Sequence, residues 1–219
     1  MSLTMGALPK DAAFWSKISR KYASSPIRDM DGYLKTLERT KSYLEPKDNV
    51  LEIGCGTGST ALLIAPDVAH ITATDIAPGM IEIANEKLAS EGLKNVTFKV
   101  AELRDHSSAE APYDAVLAHN LLHLLPELDR ALASIAALIK PGGLFISKTV
   151  CAPAHGGWKY ALISKVAIPV MQAIGKAPFV SFITPDTLEQ KIKTAGFDIV
   201  EAGDKTGMLT SHYVVARKL

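Results

Sequence analysis

The sequence predicts an α/β protein: a doubly wound, mostly parallel sheet of seven strands with an antiparallel C-terminal hairpin, a helical N-terminal extension and a helical insertion before the last helix. Three observations carry this reading. From Val50 onward, short runs rich in β-branched residues alternate with segments of helical periodicity. A glycine cluster, Gly54, Gly56 and Gly58, follows the first run directly, where a strand would turn into a helix. The last two runs, Phe197 to Glu201 and His212 to Arg217, are joined by a short loop with two glycines, which is too little chain for a parallel crossover.

The elements follow in order. Asp11 to Tyr43 reads as helical, with a break at Ser24-Ser25-Pro26, and Met30, Tyr33, Leu34, Leu37, Thr40 and Leu44 fall near one face of its second part. Pro46 ends it. Val50 to Ile53 is the first strand, and Ser59 to Ala65 is a short helix stopped by Pro66. Ala69 to Asp75 is the second strand. The helix after it has Pro78 near its first position, where the missing N–H costs nothing, and Gly92 just past its end. Val96 to Val100 and Tyr113 to His119 are the third and fourth strands; Leu128 to Ile139 is a helix, Lys140-Pro141-Gly142-Gly143 a turn, and Leu144 to Val150 the fifth strand. The alternation then pauses over residues 151–181. Thr184-Pro185-Asp186 starts the last helix, with Thr as N-cap, Pro at the first helical position and an acid in the first turn, and Gly196 ends it.

Composition narrows the class. At 219 residues the chain fits one domain, 1–219, with 1–46 as a helical cap. Hydrophobic residues make up 47% and the formal charge is +1, so the chain can build a core and has no broad basic field for nucleic acid. Two cysteines, Cys55 and Cys151, make no disulfide framework and suit a cytoplasmic setting. The N-terminus lacks the basic and long apolar regions of a secretory signal. Residues 151–181 include Trp158, Tyr160, Leu162, Ile163, Val166, Ile168, Val170, Met171 and Ile174, yet are too short and too interrupted to span a bilayer. The first reading of this segment is a substrate lid; a homodimer contact and a membrane-surface element are its alternatives.

Ligands of open α/β sheets bind at the carboxyl ends of the strands, where glycine lets the backbone approach closely and adopt positive φ. Asp75 ends the second strand about 20 residues after Gly54, at the place where an acid can accept hydrogen bonds from ribose hydroxyls. The dinucleotide fingerprint G-x-G-x-x-G would place its third glycine at Ser59; here the glycine comes one residue early, at Gly58, and Glu52 lies two residues before Gly54.

This E-x-G-x-G-x-G arrangement resembles the first motif of class I S-adenosylmethionine-dependent methyltransferases, and the resemblance extends from about Val50 to the C-terminus. It implies a Rossmann-like fold and S-adenosylmethionine as cofactor. It also implies that Glu52, Gly54, Cys55, Gly56, Thr57 and Gly58 form the cofactor loop, with Cys55 packed behind it as a small apolar residue. Asp75 matches the family's ribose-binding acid, Ile76 and Met80 the residues flanking adenine and ribose, and Ala101-Glu102-Leu103 the segment beside the adenine. The family more often carries Asp where Glu102 stands. His119-Asn120-Leu121 matches the segment beside the methionine portion and the methyl group. Phe14 to Tyr22 is similar to the N-terminal segment of the quinone and small-molecule branch, in which Tyr22 would close over the cofactor.

The implied reaction is methyl transfer by in-line displacement to a small, hydrophobic or aromatic acceptor. Where the acceptor must lose a proton, a histidine near the methyl would serve; His119, His123 and His155 are candidates, and His119 ranks first because it ends a strand. His119 and His123 have a spacing of four, but no carboxylate or cysteine completes a ligand set, so no metal is expected. After the fourth strand stands His119-Asn120-Leu121-Leu122, not the Asn/Asp-Pro-Pro-Tyr/Phe segment of base-amine methyltransferases. Two alternatives stay open: a nicotinamide-dependent oxidoreductase on a related fold, against which Ser59 and the closing hairpin weigh, and a non-catalytic S-adenosylmethionine-binding module.

Overall fold

The computed structural model describes residues 10–106, 112–153, 162–203 and 210–219. Of the sequence readings, His155, Trp158, Tyr160 and part of the hairpin loop lie outside them. Seven strands form one sheet in the order β3-β2-β1-β4-β5-β7-β6. They are β1 (Asn49–Ile53), β2 (His70–Asp75), β3 (Val96–Val100), β4 (Tyr113–His119), β5 (Ile139–Cys151), β6 (Phe197–Gly203) and β7 (Thr210–Lys218). The first five pair in parallel, while β7 runs antiparallel to both β5 and β6. The strand order reverses between β1 and β4, and the crevice there faces the carboxyl ends of both.

Both faces of the sheet are covered, so its strands are apolar almost throughout. On one face Val50, Ile71, Leu117, Ile146 and Val215 meet α3 (Ser59–Ile64) and α4 (Pro78–Glu91). On the other, Leu51, Val116, Phe145 and Val214 meet Leu132 and Ile135 of α5 (Leu128–Leu138), and Leu188 and Ile192 of a C-terminal helix, Pro185–Thr194. Phe145 and Phe197 pack with ring centroids 5.6 Å apart. Each such side chain contributes about 1.5–3 kcal/mol by burial. The start and stop signals act as read: Thr184 Oγ1 accepts from Thr187 N, Pro78 and Pro185 stand in the first turns of their helices, and Gly92 caps α4 at φ 70°.

Three expectations are revised. The predicted turn at Lys140-Pro141-Gly142-Gly143 lies inside β5: Ile139 pairs with Tyr113 and Leu144 with Ala115, so the extra residues form a bulge. The helix before it therefore ends at Leu138. The N-terminal segment is two helices, α1 (Lys10–Ser24) and α2 (Met30–Lys41), as the serine-proline break implies, but α2 turns a different face inward. Thr36, Leu37 and Thr40 are its buried residues, whereas Met30 and Leu34 stand in solvent.

The contact that places α1 is made at Gly79. A side chain there would come within 3.0 Å of the Ser16 carbonyl oxygen and 2.9 Å of Ser19 Oγ. Gly79 N donates to Ser16 Oγ, and Arg20 spans to Glu82 and Glu86 on the exposed side. The exposed ion pairs are worth little, so the close approach decides the docking. Gly79→Val should loosen α1 at a cost of about 1–3 kcal/mol in its docking. Amide exchange across α1 should accelerate while exchange in β1 and β4 stays slow; protection of α1 equal to the parent would rule out this glycine as the hinge of the contact.

Candidate active site

The carboxyl ends of β1, β2 and β4 open into a cavity of about 640 Å³, in the size range of small-molecule sites. Its floor is the loop after β1. There the three glycines take φ of 69°, 54° and 78°, values that side-chain-bearing residues rarely adopt. They do not all do the same job. A Cβ at Gly54 would meet Leu121 Cδ1 at 2.8 Å, and one at Gly58 would meet Phe98 Cζ at 2.6 Å and the Ala84 methyl at 2.8 Å. A Cβ at Gly56 would meet nothing within 4 Å. Gly54 and Gly58 thus allow close packing, and Gly58 does not line the cavity. Gly56 lines it and leaves a space that a side chain would fill.

Asp75 braces this loop from the end of β2. Its Oδ2 accepts from Gly56 N and its Oδ1 from Ala77 N, each at 2.9 Å. Burial raises its pKa, while the two backbone N–H bonds hold the rise back. Each oxygen keeps further acceptor capacity, and Asp75 lines the cavity. Glu52 lies behind the loop at 2% exposure, with Oε2 lacking a partner among the described residues. Desolvation, then the neighbouring Asp75 charge, push its pKa up to about 8.

The end of β4 supplies the opposite wall. Asn120 has φ 55°, a left-handed conformation that Asn tolerates better than most residues, and its N–H donates to Lys148 O at 2.6 Å. His119 lines the cavity one residue earlier, with Nε2 3.5 Å from Thr40 Oγ1 of α2. Desolvation, then the Lys148 charge, lower its pKa to about 4. The imidazole is neutral at pH 7.

Residues 50–143 match the methyltransferase domain family. The chain is 29% identical over 191 residues to a ubiquinone biosynthesis O-methyltransferase of Xanthomonas axonopodis pv. citri (strain 306), covering 86% of this chain and 74% of that one. Its fold aligns with DhpI in an SAH complex at TM-score 0.72 and 20% identity, covering 98% of each chain. It aligns with magnesium protoporphyrin IX methyltransferase of Synechocystis PCC 6803 with bound SAM at TM-score 0.70 and 18% identity, covering 99% of this chain and 100% of that one. Over residues 50–143 the chain carries a methyltransferase domain, on a fold shared with structures that hold S-adenosylmethionine or its product. It also matches polyketide synthases and hybrid synthetases, of whose length it spans only 3–6%.

The site fits such a cofactor on three counts: the space at Gly56, the spare acceptor capacity of Asp75, and the buried Glu52 oxygen without a partner among the described residues. Of the residues expected from sequence, Tyr22, Glu52, Gly54, Cys55, Gly56, Thr57, Asp75, Ile76, Met80, Ala101, Leu103, His119 and Asn120 line one cavity. Glu102 does not: its carboxylate pairs with Arg104 Nε at 2.7 Å. Cys55 both lines the cavity and joins the core. His123 sits in a 3-10 turn, so it shares no helix with His119.

Sequence reading missed two lysines. Lys87 of α4 donates to Thr57 Oγ1 and Ser59 Oγ at 3.0 and 2.8 Å, fixing the hydroxyls on either side of Gly58. Lys148 of β5 lies beside His119 in register and donates to Thr36 Oγ1 at 2.7 Å. The rule that ligands gather at strand carboxyl ends could have found Lys148; nothing local marks Lys87.

The glycine roles separate in one experiment. Gly58→Ala should lose more stability than Gly56→Ala by about 1–3 kcal/mol, because both add left-handed strain but only the first drives a methyl into Phe98. Gly56→Val should bind S-adenosylmethionine no longer while unfolding cooperatively. Equal denaturant midpoints for the two alanine variants, or undiminished calorimetric affinity in Gly56→Val, would contradict these assignments.

Proposed function

We propose that this methyltransferase acts on a small hydrophobic or aromatic acceptor by in-line displacement, with His119 facing the acceptor. When bound, S-adenosylmethionine supplies an electrophilic methyl group on a sulfonium, and the chain has to align the nucleophile and exclude water. Glu52, Gly54, Gly56 and Asp75 are the residues that would hold the amino-acid and ribose portions, and Ile76, Met80, Ala101 and Leu103 those that would flank the adenine. The observation that carries the acceptor reading is the rest of the cavity wall: Trp15, Tyr22, Ile27, Leu37, Leu124 and Leu125 make it largely apolar. The resemblance to a ubiquinone biosynthesis O-methyltransferase supports an oxygen acceptor of this kind.

A neutral His119 can accept a proton from a phenol or catechol as the new bond forms, and Thr40 helps to orient its ring. Lys148, next to it in register, would favour the anionic form of the acceptor oxygen. The family match leaves the nicotinamide alternative unsupported. The two free, buried cysteines are in keeping with a cytoplasmic setting.

Transfer of labelled methyl to a panel of phenols, quinone precursors, amines and thiols tests the reading. Turnover with phenolic members is expected; tight S-adenosylmethionine binding with no transfer to any panel member would favour a non-catalytic module. Asp75→Ala should weaken cofactor binding by about 1.5–3 kcal/mol in titration calorimetry, the range for hydrogen bonds to a charged group; a change of a few tenths would leave Asp75 as a cap alone. His119→Ala should lower kcat by about 10²–10⁴ with little change in cofactor affinity. Because the neutral imidazole is the active form, the parent's kcat/KM should hold as pH falls past 6.5 and decline only near the folded value of about 4. A limb at 6.5 in the parent that persists in His119→Ala would remove His119 from the role.

A further inference from the structure

We propose that Thr40 of α2 fixes the tautomer of the neutral His119 ring, holding its proton on Nε2 and leaving Nδ1 as the basic nitrogen. A hydroxyl donates one hydrogen bond and accepts two. Thr40 is fully buried, and it spends its one hydrogen on the carbonyl oxygen of Thr36, one turn back at 2.9 Å, which can only accept. Its two remaining neighbours must then donate to it. Tyr213 Oη stands 3.3 Å away and His119 Nε2 3.5 Å away. Burial pushes the Tyr213 phenol up to about 12, so it keeps its proton and can donate. One acceptor site on Thr40 is left for the imidazole, and Nε2 fills it by carrying the proton.

The same device operates one turn earlier. Thr36 Oγ1 donates to Gly32 O at 2.7 Å and accepts from Lys148 Nζ at 2.7 Å, and an ammonium can only donate. Thr36 and Thr40 thus offer acceptor oxygens four residues apart to Lys148 of β5 and His119 of β4, which are neighbours in register. Both threonines are buried, whereas Met30 and Leu34 of the same helix stand in solvent. Thr40 does not line the cavity, so it is a positioning residue that acts through His119. The consequence for the reaction rests on the function proposed above. As the acceptor's O–H bond breaks, its proton passes to Nδ1, the oxygen's electron pair forms the bond to the methyl carbon, and the C–S pair returns to sulfur. Nε2–H donates to Thr40 before and after, so the ring need not turn as its charge changes.

Long-range ¹H–¹⁵N correlation spectra of the histidine rings in the full chain read the tautomer without turnover, with His119→Ala identifying the His119 signals. At neutral pH the proton should sit on Nε2 in the parent and in Thr40→Ser. Thr40→Val should move part of the population to the Nδ1–H form and lower kcat by about tenfold, the loss of one hydrogen bond, with cofactor affinity kept. Thr40→Ser should recover the rate. A parent proton on Nδ1 would overturn the proposal whether or not Thr40→Val folds, and so would an unchanged tautomer in Thr40→Val. A proton on Nε2 with no methyl transfer to any phenol would uphold the tautomer and remove the function proposed above.

Discussion

The site hangs on one carboxylate. Asp75 stands at the end of β2 and accepts one hydrogen bond from the loop after β1 and one from the start of α4. Each bond to a charged acceptor contributes about 1.5–3 kcal/mol, enough to hold Gly56 in a conformation that the chain would otherwise leave. The same acid is a structural brace and lines the cavity. Its backbone joins in, because Asp75 O accepts from Ala101 N and so positions the segment after β3 as well. The carboxyl ends of three adjacent strands are referred to a single residue.

The three glycines look equivalent in sequence and are not. The pattern Glu52-x-Gly54-x-Gly56-x-Gly58 identifies the family, yet only Gly56 leaves open space on the ligand side. Gly58 is needed because α4 and β3 press Ala84 and Phe98 against it, and Gly54 because Leu121 arrives from the end of β4. A motif fixed by cofactor chemistry and one fixed by packing read alike when each demands the absence of a side chain. Only the neighbours brought in from distant sequence distinguish them.

That difference marks how far the sequence could be read. Strand and helix identities were legible because period and punctuation are local: Pro78 and Gly92 bound α4, and Thr184 caps the last helix. The residues that gather at the cavity were legible because they sit at fixed offsets from strand ends. What was not legible depends on tertiary choice. The bulge in β5 arises because Ile139 finds Tyr113 as a partner before the glycines are reached. The inward face of α2 is set by polar partners, Thr36 with Lys148 and Thr40 with His119 and Tyr213, so its apolar Met30 and Leu34 are left outside. Glu102 was expected at the adenine, but nearby Arg104 takes its carboxylate.

Glu52 carries the argument from fold to function. Its folded pKa of about 8 lies above the ordinary glutamate value of 4.5, so the folded state binds the extra proton between those limits. The stability that this protonated carboxyl allows is fully present below 4.5 and is lost as pH rises through about 8. A fold selected for stability alone would place an apolar residue there, since the carboxyl keeps an oxygen without a partner among the described residues. On the function proposed above, a cationic ligand would reverse the balance, because its charge would favour the carboxylate. The family motif places this acid two residues before the first glycine, where it lines the cavity.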